Sequence, residues 1–448
     1  MIERVLLINA PSEGKFFLSK QPPLGLLYIA SYLRAAGVAV RLLDLNVYPG
    51  WRGRLKKTLK EYDPQIAGIS ANFSNTAQSS EIASLAKSFN KNVTVVAGGP
   101  QPTVAPEEYR IPDIDYIIPY ESEKIMLDFC RSGPQDTVPG VISCRAPDIR
   151  RVYEKIERDL VEDLDSLPFP AYEMIDVSRY YTFGYRKLPL VSMITSRGCG
   201  HNCIFCSQAV SGRKWRKRSA ESVVDEMEWL VKVIGAGEIS VEDDNFTSDQ
   251  ERVRRICALI RERKIQFSWQ LQNGIRVDGL NKALLQELKD AGCWKVAIAP
   301  EVGDEESLRK IRKGAALEQF REAAAWCREV GIVYLGYFMM GFPFQSAEEM
   351  DKTSAFAREL DPLCISLTKL VTFPGTPLFF SNPSKTYAKK RSYFYHGENI
   401  LLERKYAKAY FEFYGRPGKL LEILLNLGFI QFWRLILNAC DMFLLRRG

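Results

Sequence analysis

Hydrophobic positions divide the chain into two series in which short and long apolar segments alternate. In the first, Arg4–Asn9, Val38–Leu43, Ile66–Ser70, Val93–Ala97 and Tyr116–Ile118 are short runs rich in β-branched residues, and Leu24–Ala36, Gly53–Glu61, Ala77–Phe89 and Ser122–Cys130 between them repeat apolar residues at helical spacing. Strand and helix in alternation predict a parallel, doubly wound, Rossmann-like sheet over residues 1–132. Such sheets bind ligands in the crevice past the carboxyl ends of their strands, which singles out the loops Ala10–Pro23, Ala71–Asn75, Gly98–Thr103 and Pro119–Glu123. Gly98-Gly99-Pro100 allows backbone to approach a ligand closely, although a glycine pair after a strand also makes an ordinary turn.

Residues 133–189 hold many prolines and no sustained period, as in Leu167-Pro168-Phe169-Pro170, and read as a linker between domains. Alternation resumes with strands near Leu190–Thr195, Glu238–Glu242, Gln266–Leu271, Lys295–Ala299, Val333–Met340 and Leu363–Leu370. Helical runs separate them: Ala220–Ile234, Gln250–Arg263, Lys282–Ala291, Leu317–Val330 and Ala347–Leu360. Six βα units over 190–375 suit a partial (β/α)6 TIM-like barrel with its active site at the carboxyl ends of the strands. Residues 376–448 are helical and aromatic. In Leu420–Leu445 polar residues from Glu422 to Asp441 recur every few positions, which argues against a membrane-spanning helix. Two placements remain for it: apolar face packed on the barrel, or a peripheral position in a membrane interface with Trp433 and Arg446-Arg447 near headgroups.

A chain of 448 residues supports two domains and a large buried site. The net charge of +7 is spread along the chain, and its densest clusters, Arg213–Arg218 and Lys389–Arg391, are short enough to be solvated faces, so nucleic acid is not an expected partner. The N-terminus lacks the basic and apolar regions of a secretory signal, which predicts a cytoplasmic chain. Its ten cysteines are then thiols or metal ligands rather than a disulfide framework. Seven of them, Cys130, Cys144, Cys257, Cys293, Cys327, Cys364 and Cys440, stand singly and read as small buried hydrophobes.

The remaining three lie together in Cys199-Gly200-His201-Asn202-Cys203-Ile204-Phe205-Cys206, directly after the first barrel strand. Three thiolates can hold three corners of a cubane cluster and leave the fourth iron open, as a catalytic cluster requires. A structural zinc site normally takes four protein ligands, often as two separated pairs, and His201 lies inside the same tight loop. The alternative from another class is a non-catalytic iron–sulfur or zinc binding module.

The CxxxCxxC spacing, the aromatic before the third cysteine and the position after the first strand closely resemble the radical S-adenosylmethionine (radical SAM) superfamily. That resemblance implies a [4Fe-4S] cluster on Cys199, Cys203 and Cys206, chelation of the fourth iron by the methionyl group of SAM, and reductive cleavage to a 5′-deoxyadenosyl radical. Phe205 would pack near the adenine. In Val241-Glu242-Asp243-Asp244-Asn245-Phe246, Asp243 and Asp244 either contact the SAM amine or cap the next helix. Glu301 stands where relatives contact the ribose or amine, in Glu-Val-Gly instead of Glu-Ser-Gly. Arg276 either pairs with the SAM carboxylate or makes a surface ion pair.

Further segments, Gln21-Pro22-Pro23-Leu24-Gly25-Leu26, Gly98-Gly99-Pro100-Gln101-Pro102-Thr103, Gly341-Phe342-Pro343 and Phe373-Pro374-Gly375-Thr376, are similar to those of radical SAM proteins with an N-terminal cobalamin-binding domain. That group includes methyltransferases and the anaerobic magnesium-protoporphyrin monomethyl ester cyclase. It implies cobalamin over Gly98, Gly99 and Gln101, a small-molecule substrate, an electron donor such as flavodoxin or ferredoxin, and methyl transfer to an unactivated carbon, or else radical cyclisation, oxidation or rearrangement. The chain departs from the pattern in three places. No Asp-x-His-x-x-Gly follows the first strand, so no histidine of this domain can be a lower axial ligand; Gln101 replaces a frequent histidine; and Pro119-Tyr120-Glu121-Ser122-Glu123, whose larger side chains would narrow the pocket, replaces a glycine-containing acidic turn. The aromatic residues Tyr387, Tyr393, Phe394, Tyr395, Tyr406, Tyr410, Phe411, Phe413 and Tyr414 would roof the barrel and suit a large apolar substrate, or serve as core.

Overall fold

The computed structural model describes residues 2–12, 19–135, 137–381 and 400–443, the side chains of Asn438 and of residues 440–443 excepted. The first sheet is built from β1 (Arg4–Asn9), β2 (Ala39–Asp44), β3 (Ile66–Ser70), β4 (Thr94–Gly98), β5 (Tyr116–Ile118) and β6 (Ile142–Ser143), in the order β2-β1-β3-β4-β5-β6. The first five strands run parallel, and β6 adds an antiparallel edge from the segment expected to be linker. Helices α1 (Leu24–Ala35), α2 (Trp51–Tyr62), α3 (Thr76–Phe89) and α5 (Glu123–Ser132), with the short α4 (Pro100–Val104) and α6 (Ile149–Tyr153), cover both faces. Strands covered on both faces read as near-continuous apolar runs, because neither side meets water; Ile66–Ile69 is buried throughout. The order reverses between β1 and β3, and the crevice there opens at Asn9 and Ser70, which pair in register.

The second sheet, β14-β13-β12-β11-β10-β7, is wholly parallel and consists of β7 (Leu190–Met193), β10 (Glu238–Val241), β11 (Ser268–Ile275), β12 (Cys293–Glu301), β13 (Val333–Met340) and β14 (Cys364–Lys369). Helices α7 (Ala220–Lys232), α8 (Gln250–Glu262), α9 (Lys282–Asp290), α10 (Glu305–Lys310), α11 (Leu317–Val330) and α12 (Ala347–Leu360) follow its strands, so the half-open barrel expected from the sequence is what forms. A two-residue hairpin, β8 (Ser196–Arg197) against β9 (Arg216–Lys217), brackets the cysteine loop and was not legible in the periodicity.

Beyond α13 (Pro377–Ser381), helix α14 (Ile400–Tyr414) packs on α12, and the hydroxyls of Tyr410 and Tyr414 donate to the carbonyls of Leu367 and Ile365 in β14. Tyr387, Tyr393, Phe394, Tyr395, His396 and Arg446-Arg447 lie outside the described residues. The long apolar run is two helices, α15 (Lys419–Leu427) and α16 (Phe429–Phe443), parted at Gly428, whose φ of 77° suits glycine. Ile423 and Leu427 join Trp294, Ala297 and Leu335 in a cluster that closes the amino-terminal end of the barrel. The opposite side leaves Leu421, Leu425, Phe429, Ile430 and Trp433 exposed, so one face packs and the other does not. Among the described residues no helix is long and apolar enough to cross a membrane. The singly placed cysteines within the described side chains, from Cys130 to Cys364, are all buried.

Candidate active site at the domain interface

The cysteine loop leaves β8 through Gly198, whose φ is 82° and whose added Cβ would stand 2.4 Å from the Lys214 carbonyl oxygen, so glycine alone fits. Ile204 anchors the loop by donating to the Ile311 carbonyl at 3.1 Å and accepting from the Leu378 amide at 2.9 Å. Cys199 and Cys203 are half-buried. Burial raises the Cys199 thiol above its ordinary value, and charge on Asp244 and Cys203 adds to this. Cys206 keeps solvent contact as a residue, yet protein around its thiol, then Cys203, Asp244 and Cys199, push it up to about 12. As they stand, no three His, Cys, Asp or Glu side chains among the described residues converge tightly enough for an ion, so gripping a cluster requires the thiols to turn inward. Phe205 meets Phe342 edge to face at 5.9 Å. His201 presents its carbonyl to Arg213 at 3.0 Å.

Neighbouring acidic residues at the end of β10 do different work. Asp243 accepts from the Thr195 amide at 2.6 Å, the Thr195 hydroxyl at 2.5 Å and the Ser196 hydroxyl at 2.6 Å, with the buried Arg252 guanidinium 3.8 Å away. Its carboxylate is engaged by the strand that launches the cysteine loop and does not line the space between the domains. Neither does it cap α8: Asp249 does, accepting from the Arg252 amide at 3.0 Å. Asp244 accepts from the Gly198 amide at 3.1 Å and lines the space between the domains.

Glu301 adopts φ 70°, rare for a side chain with a Cβ, and pairs with Lys313 at 2.8 Å. Arg276 donates to both oxygens of Asp278, at 2.8 and 2.9 Å, and to the Lys313 carbonyl at 2.9 Å, which is the ion-pair alternative. Both side chains thereby converge on residues 311–314, the segment that also anchors Ile204.

Across the interface, Gly99 has φ 100°, and a Cβ there would sit 2.7 Å from the Ala71 carbonyl oxygen; a Cβ on Gly98 would press the Ile118 oxygen at 3.2 Å. They floor a cavity of about 350 Å³ that runs from Leu7 and Gly68 in the first sheet to Ile194 and Arg197. A second cavity, about 670 Å³, is lined by Asn46, Asn72, Gln101, Gln208, Asp244 and Phe373 and shares Pro100, Val210 and Ser211 with the first. The two spaces meet at these shared residues, beside glycines whose neighbouring backbone leaves no room for a Cβ. The lower axial histidine is absent, since the sequence holds only His201 and His396. Gln101 is buried and donates to Glu108 at 3.0 Å. Tyr120 lines the first of these cavities together with Glu121, Ser122 and Glu123. At φ 64° its ring turns toward Tyr153, 5.8 Å away, beneath the Arg158 guanidinium at 5.0 Å.

Sequence reasoning missed the ionic contact between domains. Glu121 accepts from Arg216 through both oxygens, at 2.9 and 2.6 Å, Arg197 stands 3.4 Å away, and Arg197 also donates to Glu123 at 2.7 Å. The acidic turn is thus clamped onto the hairpin that carries the cysteines. Also missed was Glu242, whose carboxyl accepts from the Ser240 hydroxyl at 2.6 Å and the Gln21 amide at 3.1 Å; burial raises it to about 7. One signal for Glu242 was available: an acidic residue at an inward position of a barrel strand.

The model of the radical SAM superfamily matches residues 193–357, and that of the B12 binding domain matches residues 17–129. An uncharacterised methyltransferase of Pyrococcus horikoshii is 30% identical over 450 residues, covering 96% of each chain. The cytidylyl-2-hydroxyethylphosphonate methyltransferase of Streptomyces wedmorensis is 26% identical, over 80% of this chain and 77% of its own. The radical SAM methyltransferase TsrM of Kitasatospora setae, solved with tryptophan and a SAM analogue, superposes with a TM-score of 0.67 at 21% identity, over 84% of this chain and 75% of its own, and so shares the fold. With both domain types matched and a relative similar along nearly its whole length, the chain belongs to the radical SAM superfamily, in the group that carries an N-terminal B12-binding domain.

Proposed function

We propose that this enzyme cleaves SAM reductively at a [4Fe-4S] cluster held by Cys199, Cys203 and Cys206 and methylates an unactivated carbon of a small molecule. When bound, the cluster supplies the electron for cleavage and cobalamin carries the methyl group. The observation that carries this reading is that Gln101 of the glycine loop and Asp244 beside the cysteines line one cavity, so two cofactors and a substrate can meet there. Gly198 frees the loop to turn its thiols inward, and Asp243 braces the strand beneath it. Asp244 accepts hydrogen bonds from the SAM ammonium, Phe205 packs near adenine, and Glu301, paired with Lys313, offers its second oxygen to SAM. Arg276 acts on the same pocket by holding residues 313–314. Gly98 and Gly99 leave room for cobalamin, with Gln101 at its face.

A low-potential flavodoxin or ferredoxin is the electron donor in this reading. The exposed apolar face of α15 and α16 supports a peripheral contact with a membrane interface. The deciding experiment is anaerobic reconstitution with iron, sulfide and cobalamin: iron and cobalt retained on gel filtration, 5′-deoxyadenosine released under reduction, and one methyl added to the product. Tightly held zinc without iron would end the proposal.

A further inference from the structure

The cysteine loop reaches the surface of the molecule: Asn202 and Cys206 are exposed and His201 is half-buried. On one side the loop is held by Arg213, whose guanidinium donates to the His201 carbonyl at 3.0 Å and meets the Asn202 side chain. On the other side it is held by Ile311, whose carbonyl accepts from the Ile204 amide and which lies between Arg309 and Arg312 in the chain. These three arginines are exposed, and none has an ion-pair partner among the described residues. Neighbouring acids are engaged elsewhere: Glu306 pairs with Lys310 at 2.7 Å, Asp278 with Arg276 at 2.8 Å, and Glu305 accepts from the Leu317 amide at 2.7 Å.

Beside the loop opens a hollow of about 750 Å³, lined in part by Arg158, Arg213 and Phe380. Its aromatic wall is tied to the loop through Leu378, whose amide donates to the Ile204 carbonyl at 2.9 Å. Phe380 is 66% exposed. Arg158 lies over the Tyr120 ring and, like Arg213, has no ion-pair partner among the described residues. The two glutamates of the hollow are occupied, Glu107 by Arg150 at 3.4 Å and Glu108 by the Gln101 amide at 3.0 Å. Arginines around an exposed aromatic ring have the composition of a protein interface, where those residue types are enriched. Their uncompensated charge sets the sign of the partner, which is acidic.

We infer that this surface docks an acidic electron-carrier protein, with Arg158, Arg213, Arg309 and Arg312 facing its carboxylates and Phe380 as the apolar anchor. The inference rests on the cluster proposed for the three cysteines and adds the place at which its electron enters. Each cleavage of SAM consumes one electron, which the carrier gives up as it is oxidised by one unit; no proton or group crosses the contact. Electron transfer falls off steeply with distance, and the loop that bears the thiols is itself part of this surface. Four guanidinium groups are too few for the extended stripe that a nucleic acid uses.

The test uses the full chain, reconstituted anaerobically, with flavodoxin kept reduced by its reductase and NADPH as the carrier, and titanium(III) citrate as a small reductant that needs no docking surface. Release of 5′-deoxyadenosine is followed with each, and the affinity for oxidised flavodoxin is measured separately by calorimetry. In Arg309→Glu combined with Arg312→Glu, flavodoxin binding and the flavodoxin-driven rate at subsaturating carrier are each expected to fall about tenfold or more, while the titanium-driven rate stays within about twofold of the parent. Lys56→Glu combined with Lys60→Glu, an equal change of net charge at exposed positions of α2, is expected to leave flavodoxin binding near that of the parent. Raising the ionic strength from about 0.01 to 0.15 M is expected to weaken binding to the parent far more than to the arginine variant. Equal flavodoxin affinity in the two double variants overturns the inference, and so does a parent that titanium drives while flavodoxin neither binds nor drives it. The titanium-driven rate of the parent tests the radical reading by itself: its absence would sink that reading, and the flavodoxin affinities would still decide whether this surface docks the carrier.

Discussion

Replacing Glu121 by alanine removes the centre of the ionic contact between the two domains. Glu121, Arg216 and Arg197 are 5%, 4% and 8% exposed, so water and salt screen them little. Without Glu121, Arg197 keeps Glu123, but Arg216 keeps only the carbonyls of Val161 and Ser211 and becomes a buried charge with no counter-ion. Breaking a buried pair from one side costs about 3–5 kcal/mol, because the stranded charge cannot recover its hydration. The Val161 amide also loses its acceptor, a further ~1 kcal/mol. Thermal melting of the anaerobic holoenzyme should fall by several degrees. Since the pair joins the acidic turn to the hairpin around the cysteines, iron and cobalt retained on gel filtration should fall together. Glu121→Leu combined with Arg216→Met should recover most of the stability, because neither charge is then buried. A Glu121→Ala protein that melts within a degree of the parent and keeps both metals would refute the reasoning.

Gly99→Ala forces a Cβ to within 2.7 Å of the Ala71 oxygen at φ 100°; cobalamin retention should drop sharply and stability fall by at least about 1 kcal/mol, read by absorbance after gel filtration and by melting. Cys203→Ser should fold as the parent does, since Cys203 is only half-buried, yet lose most of its iron and all 5′-deoxyadenosine formation. Glu242→Gln tests a titration. The folded carboxyl is raised to about 7 from an ordinary 4.5, so its contribution to stability is fully present below the lower value and lost as pH rises through the upper one. Melting curves should show the parent losing up to about 3 kcal/mol relative to Glu242→Gln between those values, and parallel pH profiles would contradict this.

The two α/β layers and the cysteine loop were legible in the chain itself. Ile66–Ser70, Tyr116–Ile118 and Val333–Met340 occupy the residues the apolar pattern assigned them, because a parallel strand buried on both faces writes its extent locally. Spacing marked the three cysteines for the same reason: ligands on one loop need no distant partner. Roles that depend on residues far apart were decided only by the tertiary structure. Asp243 and Asp244 are adjacent, yet one is bound to Thr195 and Ser196 and the other faces the cavity. Tyr120 lines the pocket with its ring set against Tyr153 and Arg158, partners that its position in the chain does not announce. The hairpin β8–β9 has two residues per strand, too few to carry a period. Glu121 finds Arg216 ninety-five positions away, and Arg309 and Arg312 stand beside the cysteine loop only because Ile311 holds Ile204. Hydrophobic periodicity records which face of an element is buried; it is silent on which polar groups burial brings together, and the site is made of those.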